Sequence, residues 1–172
     1  MGFDIVVELD AVARYYLKSE RGKKEQVWLK STQEQEDFDR GIDALPEDKV
    51  RREVEQLSME RGNEIYRRLY KSPYSWAFEV LPASSLHLPQ INEKVKPYLK
   101  KASWELAQFA DLVKAYSSEA ALAEFRDDGR AVRHQNLLVL NENRMYRIID
   151  GSHRAVTLCL RGTTGFGCYI GS

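Results

Sequence analysis

The sequence predicts an α+β chain with a helical N-terminal extension, and three stretches carry that prediction. Between Pro46 and Tyr70 the apolar residues Val50, Val54, Leu57, Ile65 and Leu69 recur at mostly helical spacing. From Asn136 to Ile149 two apolar runs flank Asn141-Glu142-Asn143, the pattern of a β-hairpin. Directly after it Asp150-Gly151 breaks the second strand, and an apolar helical run continues to Gly162.

Taken in order, Phe3 to Leu9 reads as a short strand, which Val12 to Leu17 either continues or replaces with a helix. Lys18 to Gln26 is polar around Gly22, and Val27-Trp28-Leu29 is apolar again, so a hairpin is expected across that link. Gln33 to Asp39 reads as a short acidic helix. Leu45-Pro46-Glu47-Asp48 opens the next helix, with a proline that needs no amide partner there and two acids favoured by the helix dipole. Gly62 breaks or bends it. Arg51, Arg52, Arg61, Arg67 and Arg68 suggest a nucleic-acid face. Glu47, Glu53, Glu55, Glu60 and Glu64 are interleaved with them, so a solvated, salt-bridged surface is the expectation.

Ser72-Pro73-Tyr74-Ser75 is a turn cluster that divides an extension of residues 1–75 from a domain of residues 76–172. In the second part Trp76 to Leu81 reads as a strand and Pro82 to Pro89 as a loop. Ser103 is expected to cap a helix carrying Trp104, Leu106, Phe109, Leu112 and Val113. Ser118 to Phe125 follows as a second helical run, stopped at Asp127-Asp128-Gly129. Gly162, Gly165 and Gly167, with Thr163 and Thr164, read as a surface loop. Trp28, Trp76 and Trp104 are expected in the core or an interface.

Composition narrows the function classes. Lys+Arg and Asp+Glu are both 26, a formal charge of zero that gives no global attraction for nucleic acid or an anionic membrane. No run approaches the roughly 20 apolar residues of a membrane helix, and no basic segment opens the chain as a secretory leader would. A cytoplasmic protein is expected. Cys159 and Cys168 are too few for a disulfide framework, and Cys159 sits in an apolar helical run as a small core residue rather than a nucleophile. His87, His134 and His153 have no zinc-ligand spacing, so no metal site is expected from them.

The chemistry concentrates at residues 150–154. Strand, tight glycine turn and helix N-terminus together aim backbone N–H groups at one point, where the positive end of the helix dipole also lies. Ser152 is expected as the N-cap of a helix running through Arg161. His153 and Arg154 add two donors in the first turn, and an arginine fork suits phosphate oxygens. The same residues are also an ordinary turn, cap and surface ion pair. Their pattern alone leaves both readings open.

Asn136-Leu137-Leu138-Val139, then Tyr146-Arg147-Ile148-Ile149-Asp150-Gly151-Ser152-His153-Arg154 and an apolar helix closing at Gly162, resembles the ParB/sulfiredoxin-like domains with their "DGxHR"-type signature. Phe78-Glu79-Val80-Leu81 is similar to the opening strand of that family, Leu86-His87-Leu88-Pro89 to the following loop, and Leu106 to Tyr116 to its first helix. The resemblance covers residues 76–172 and leaves 1–75 without a counterpart. It implies a ParB/sulfiredoxin-like fold.

Three branches differ at identifiable positions. Sulfiredoxins carry a catalytic cysteine where Ser152 stands. Chromosome-segregation ParB proteins have a Gly-Glu-Arg-Arg motif and a following helix-turn-helix domain, for which the residues after Gly162 are too few. The third branch holds small-molecule kinases such as the free-serine kinases, which share the Asp-Gly-x-His-Arg run but usually carry a histidine at the position of Ser152.

Similarity to the third branch implies an ATP- or ADP-dependent kinase acting on a small hydroxyl compound, with CTP an alternative nucleotide and Mg²⁺ expected for phosphoryl transfer. Gly151, Ser152, His153 and Arg154 would hold the nucleotide phosphates, Asp150 would orient substrate or metal, and Glu93 would be the general base. Glu79 competes with Glu93 for that role. The alternatives are a non-catalytic nucleotide-binding or partner-docking module and a nuclease or DNA-modification accessory.

Overall fold

A computed structural model describes residues 5–89, 104–116, 118, 123, 125 and 133–172. The chain divides into two compact units, Val6–Trp76 and Ala77–Ser172, the second joined by Ile5. It belongs to the α+β class, with one mixed sheet. Among the described residues no helix is long and apolar enough to cross a membrane.

The first unit is helical: α1 (Leu9–Lys24), a 3₁₀ turn at Val27–Leu29, α2 (Thr32–Asp43), α3 (Glu47–Arg61) and α4 (Ile65–Tyr70). The hairpin expected across Lys18 to Leu29 is replaced by α1. Val12, Ala13, Tyr16 and Leu17 form its buried stripe, and Arg14–Asp10 and Arg21–Glu25 are i,i+4 ion pairs along it. These interactions outweigh the roughly 1 kcal/mol that Gly22 costs inside a helix. The chain turns instead at Gln26, which adopts the left-handed conformation at φ 52°.

The acidic helix is longer than the pattern indicates. A capping box in which Ser31 and Glu34 each satisfy the other's backbone N–H starts α2 at Thr32.

Pro46 occupies the N-cap of α3, and Gly62 ends it in the left-handed conformation at φ 61°. A local polar network fixes the corner that follows. Tyr66 N–H donates to Ser58 Oγ at 3.1 Å, Ile65 N–H to Asn63 Oδ1 at 3.1 Å, and Asn63 Nδ2 to the Tyr16 hydroxyl at 3.2 Å. Arg61, Arg67, Arg68 and Arg52 are engaged with Glu20, Glu64, Glu64 and Asp48 respectively. Glu20 is itself buried, between Lys23 and Arg61.

The second unit carries β2 (Trp76–Pro82), a 3₁₀ turn at Ala83–Ser85, β3 (Leu86–His87), α5 (Leu106–Ala115), β4 (Leu137–Glu142), β5 (Met145–Asp150), α6 (Ser152–Leu160) and β6 (Gly165–Gly171). With β1 (Ile5–Val6) the strands form a six-stranded sheet of order β1-β2-β6-β4-β5-β3. β4 and β5 are antiparallel, while β4–β6 and β3–β5 are parallel. A two-residue turn joins the hairpin. Asn143 and Arg144 have φ of 54° and 65°, the left-handed pair that matches strand twist, so of the turn expected at Asn141-Glu142-Asn143 only Asn143 is in it, and β4 runs on through Glu142.

Two further expectations change here. The Pro82–Pro89 segment is not all loop, since Leu86–His87 pairs with Tyr146–Arg147. Helix α5 begins at Leu106 rather than before Trp104, because the Trp104 carbonyl accepts Leu88 N–H at 2.7 Å and Glu105 bridges His87. Ser103, expected as its cap, lies outside the described residues, as does most of the helical run expected from Ser118 to Phe125.

The glycine-rich tail is the strand β6, in which Phe166, Cys168 and Ile170 alternate into the core. That core joins Leu86, Leu106, Phe109 and Val113 to Leu137, Val139, Ile148, Ala155 and Val156, with the half-buried Trp104 packed against it. Trp76 is buried and Trp28 half-buried.

Candidate functional site

β5 runs out of the core at Ile148 and ends at Asp150, and the chain then reverses through Gly151 at φ 96°. Gly151 C=O accepts Ala155 N–H at 2.8 Å, closing the first turn of α6. The cap position therefore belongs to Gly151, and Ser152 is the first helical residue. The expected serine cap fails because the chain is still in the left-handed turn one residue earlier. A glycine cap supplies no side-chain oxygen to the first-turn amides, which have no i−4 carbonyl within the helix.

A Cβ at Gly151 would lie 2.5 Å from Arg154 Nη2 and 2.8 Å from Leu137 Cδ2. Hydrogen is the largest substituent that fits. The Arg154 guanidinium folds across this glycine to within 3.4 Å of Asp150 Oδ2, with side chains only 8% and 13% exposed. The pair closes one turn of chain, i to i+4, across the strand–helix junction.

His153 points the other way and is exposed. Its ring stacks on Phe125 at 4.6 Å and 6° between planes, and Phe125 is buried and meets Phe109 edge-on at 5.0 Å. An imidazole on an aromatic platform has a fixed plane and a defined rim for hydrogen bonding.

The structure thus brings together Asp150, Gly151, Ser152 and Arg154, with His153 on the outer side of the same helical turn. Glu93 lies outside the described residues. Glu79 is half-buried on β2, and His87 is half-buried on β3 opposite Arg147. Among the described residues no group of three or more His, Cys, Asp or Glu side chains is gathered as a metal site.

Sequence pattern does not mark a second grouping near the turn. Phe78 of β2, Asn136 before β4, and Gly167 and Tyr169 of β6 converge, and all four are half-buried. Burial raises the Tyr169 phenol, opposed by the Asn136 amide that donates to its oxygen. The alternation Gly165-Phe166-Gly167-Cys168-Tyr169-Ile170 is the signal that places Tyr169 on a strand. Strand order alone brings it to Asn136.

The unit of residues 6–76 has its own cavity, of about 630 Å³, at the N-terminal ends of α1 and α3. Its charges are largely engaged with one another: Asp10 with Arg14, Asp48 with Arg52, and Arg51 with the ring of Tyr70.

Both cysteines are free thiols. Burial pushes Cys159 up to about 11 and Cys168 up to about 12. A thiol reacts as thiolate, so both remain protonated and slow through pH 8 and begin to react only as pH climbs toward those values. Alkylation by iodoacetamide at pH 8 is expected to be at least about ten-fold slower than for free cysteine. Rapid labelling of the folded protein would show that the thiols are reached by opening of this core.

No family model, curated protein or solved structure matches this chain.

Proposed function

We propose that residues 150–154 bind the phosphates of a nucleotide and that the chain is a phosphotransferase acting on a small hydroxyl-bearing metabolite. The observation that carries this reading is Gly151 in the left-handed conformation at the start of α6, with the Arg154 guanidinium drawn across it. A strand, a glycine that tolerates no side chain and a helix N-terminus form a preorganised anion site, and Arg154 adds a bidentate donor. The parallel β4–β6 and β3–β5 pairs around a central hairpin are compatible with the ParB/sulfiredoxin-like fold implied by the motif.

In this reading the Arg154 fork and the first-turn amides neutralise phosphate charge, and His153, stacked on Phe125, lines the outer side of the same turn. Asp150 acts first by holding Arg154 in register. A bound nucleotide supplies the transferable phosphoryl group. The substrate hydroxyl oxygen bonds to the terminal phosphorus as the bond to the bridging oxygen breaks, and the hydroxyl proton passes to a carboxylate. The family resemblance assigns that carboxylate to Glu93. Mg²⁺ commonly takes one or two carboxylates together with substrate phosphates, so it requires no preformed protein cage.

A second reading is a nucleotide-binding regulatory module without transfer. The Asp150–Arg154 ion pair favours it, because a carboxylate held by the neighbouring guanidinium is engaged within the chain rather than presented to a substrate or metal.

Calorimetric titration of ATP, ADP and CTP with Mg²⁺ into wild type and Arg154→Ala tests the site. Binding that the variant weakens by about 10- to 100-fold is expected, the value of charge-assisted hydrogen bonds to phosphate. Absence of binding by the wild type would remove every nucleotide-dependent function. Binding without phosphorylated product, across a broad set of hydroxyl metabolites, would leave the regulatory module.

A further inference from the structure

At the end of the sheet where β5 enters the 150–154 turn, side chains from separate strands close over a glycine. Asn136 immediately precedes β4. The registers Leu137–Cys168 and Leu138–Asp150 set it beside Gly167 of β6 and past the last residue of β5. A Cβ at Gly167 would lie 2.5 Å from Asn136 Oδ1 and 2.8 Å from Phe78 Cζ, so any larger residue would displace the carboxamide or the ring.

Phe78 meets Tyr169 edge-on, with centroids 5.2 Å apart and planes at 63°. The Asn136 amide is oriented by its bond to the Tyr169 hydroxyl. The group stays partly open to solvent although its chain neighbours Leu137 and Cys168 are fully buried. It stands one residue along the chain from the turn's packing, since Leu137, next to Asn136, lies with Arg154 beside Gly151.

We propose that Phe78, Asn136 and Tyr169 form the subsite for the base of the nucleotide whose phosphates lie at residues 150–154. The inference rests on the phosphate-site reading above. Aromatic rings offer a planar base its stacking surface, and a carboxamide sets a donor and an acceptor side by side, the complement of a base edge. Gly167 keeps the β6 backbone clear so that both elements reach the same place. A phosphate at the helix N-terminus and a base over the strand ends would be joined by the sugar across the Leu137–Gly151 contact.

The test compares inorganic tripolyphosphate with ATP, CTP and GTP, each with Mg²⁺, by titration into wild type, Asn136→Ala, Tyr169→Ala and Phe78→Leu. Wild type is expected to bind one nucleotide on the order of 10-fold more tightly than tripolyphosphate, as base stacking on an aromatic side chain provides. The variants are expected to lose that preference while retaining tripolyphosphate affinity and a cooperative urea transition, at a midpoint lowered by the lost packing.

Equal affinity for tripolyphosphate and all nucleotides in wild type would overturn the subsite while leaving the phosphate site standing. So would a nucleotide preference that survives in all three variants. A variant that loses tripolyphosphate together with the nucleotide acts through the fold and counts against the subsite. A wild type that binds no triphosphate removes the phosphate site and the subsite with it.

Discussion

Gly151→Ala is expected to lose about 3 kcal/mol of stability, from two causes that a control can separate. The first is conformational, since a β-carbon at φ 96° carries a strain on the order of 1–3 kcal/mol. The second is steric, because the new methyl would sit 2.5 Å from Arg154 Nη2 and 2.8 Å from Leu137 Cδ2. Overfilling a packed site costs roughly 1–3 kcal/mol. The arginine end can swing aside, but only by leaving Asp150. Leu137 is held in the core, so the backbone of the turn must give as well.

Gly62 supplies the control. It has φ 61°, and a methyl there would meet nothing within 4 Å, so Gly62→Ala incurs the conformational cost alone, about 1 kcal/mol. Urea unfolding of both variants reads the difference. A Gly151→Ala midpoint equal to that of Gly62→Ala would mean that the close approach of Arg154 contributes nothing. Nucleotide binding should fall with Gly151→Ala and persist in Gly62→Ala, because only the former displaces the guanidinium.

Local signals in the chain mark the elements whose ends they specify. Pro46 and Gly62 delimit α3, and Asp150-Gly151 ends β5 at the break that the sequence predicts. Pattern and structure part where a glycine suggests a turn or loop that packing overrides. Gly22 lies inside α1, and Gly165 and Gly167 lie inside β6. In β6 the period-two burial of Phe166, Cys168 and Ile170 decides the conformation, and the glycines make room on the opposite face.

Serine favours the cap position, which points to Ser152, yet the left-handed backbone required at residue 151 moves the cap to the glycine. The charged surface of α3 and α4 is visible in the interleaving of arginine and glutamate. The partner of Arg61, the buried Glu20 of α1, depends on helix packing and has no local signature. The convergence of Phe78, Asn136 and Tyr169 is of the same kind, since it follows from β6 lying between β2 and β4.

Phe125→Ala is expected to be the other severe substitution, because one side chain serves both the core and the motif. Its ring is fully buried, contacts Phe109 edge-on at 5.0 Å, and presents a flat face to His153 at 4.6 Å. Truncation removes buried apolar surface and leaves a cavity, a loss of about 3–5 kcal/mol. Phe125→Leu refills most of that volume and should cost about 1 kcal/mol, close to the scale of a volume-conserving exchange.

The two variants then separate stability from function. Leucine cannot offer the aromatic face on which His153 lies, so the imidazole loses its fixed plane even where the core is restored. Phe125→Leu is therefore expected to unfold near the wild-type urea midpoint yet bind nucleotide on the order of 5-fold more weakly, the worth of one aromatic contact. A near-wild-type midpoint together with unchanged binding would show that His153 needs no platform. His153 would then be a surface residue of α6, and the phosphate site would reduce to the Gly151 turn and Arg154.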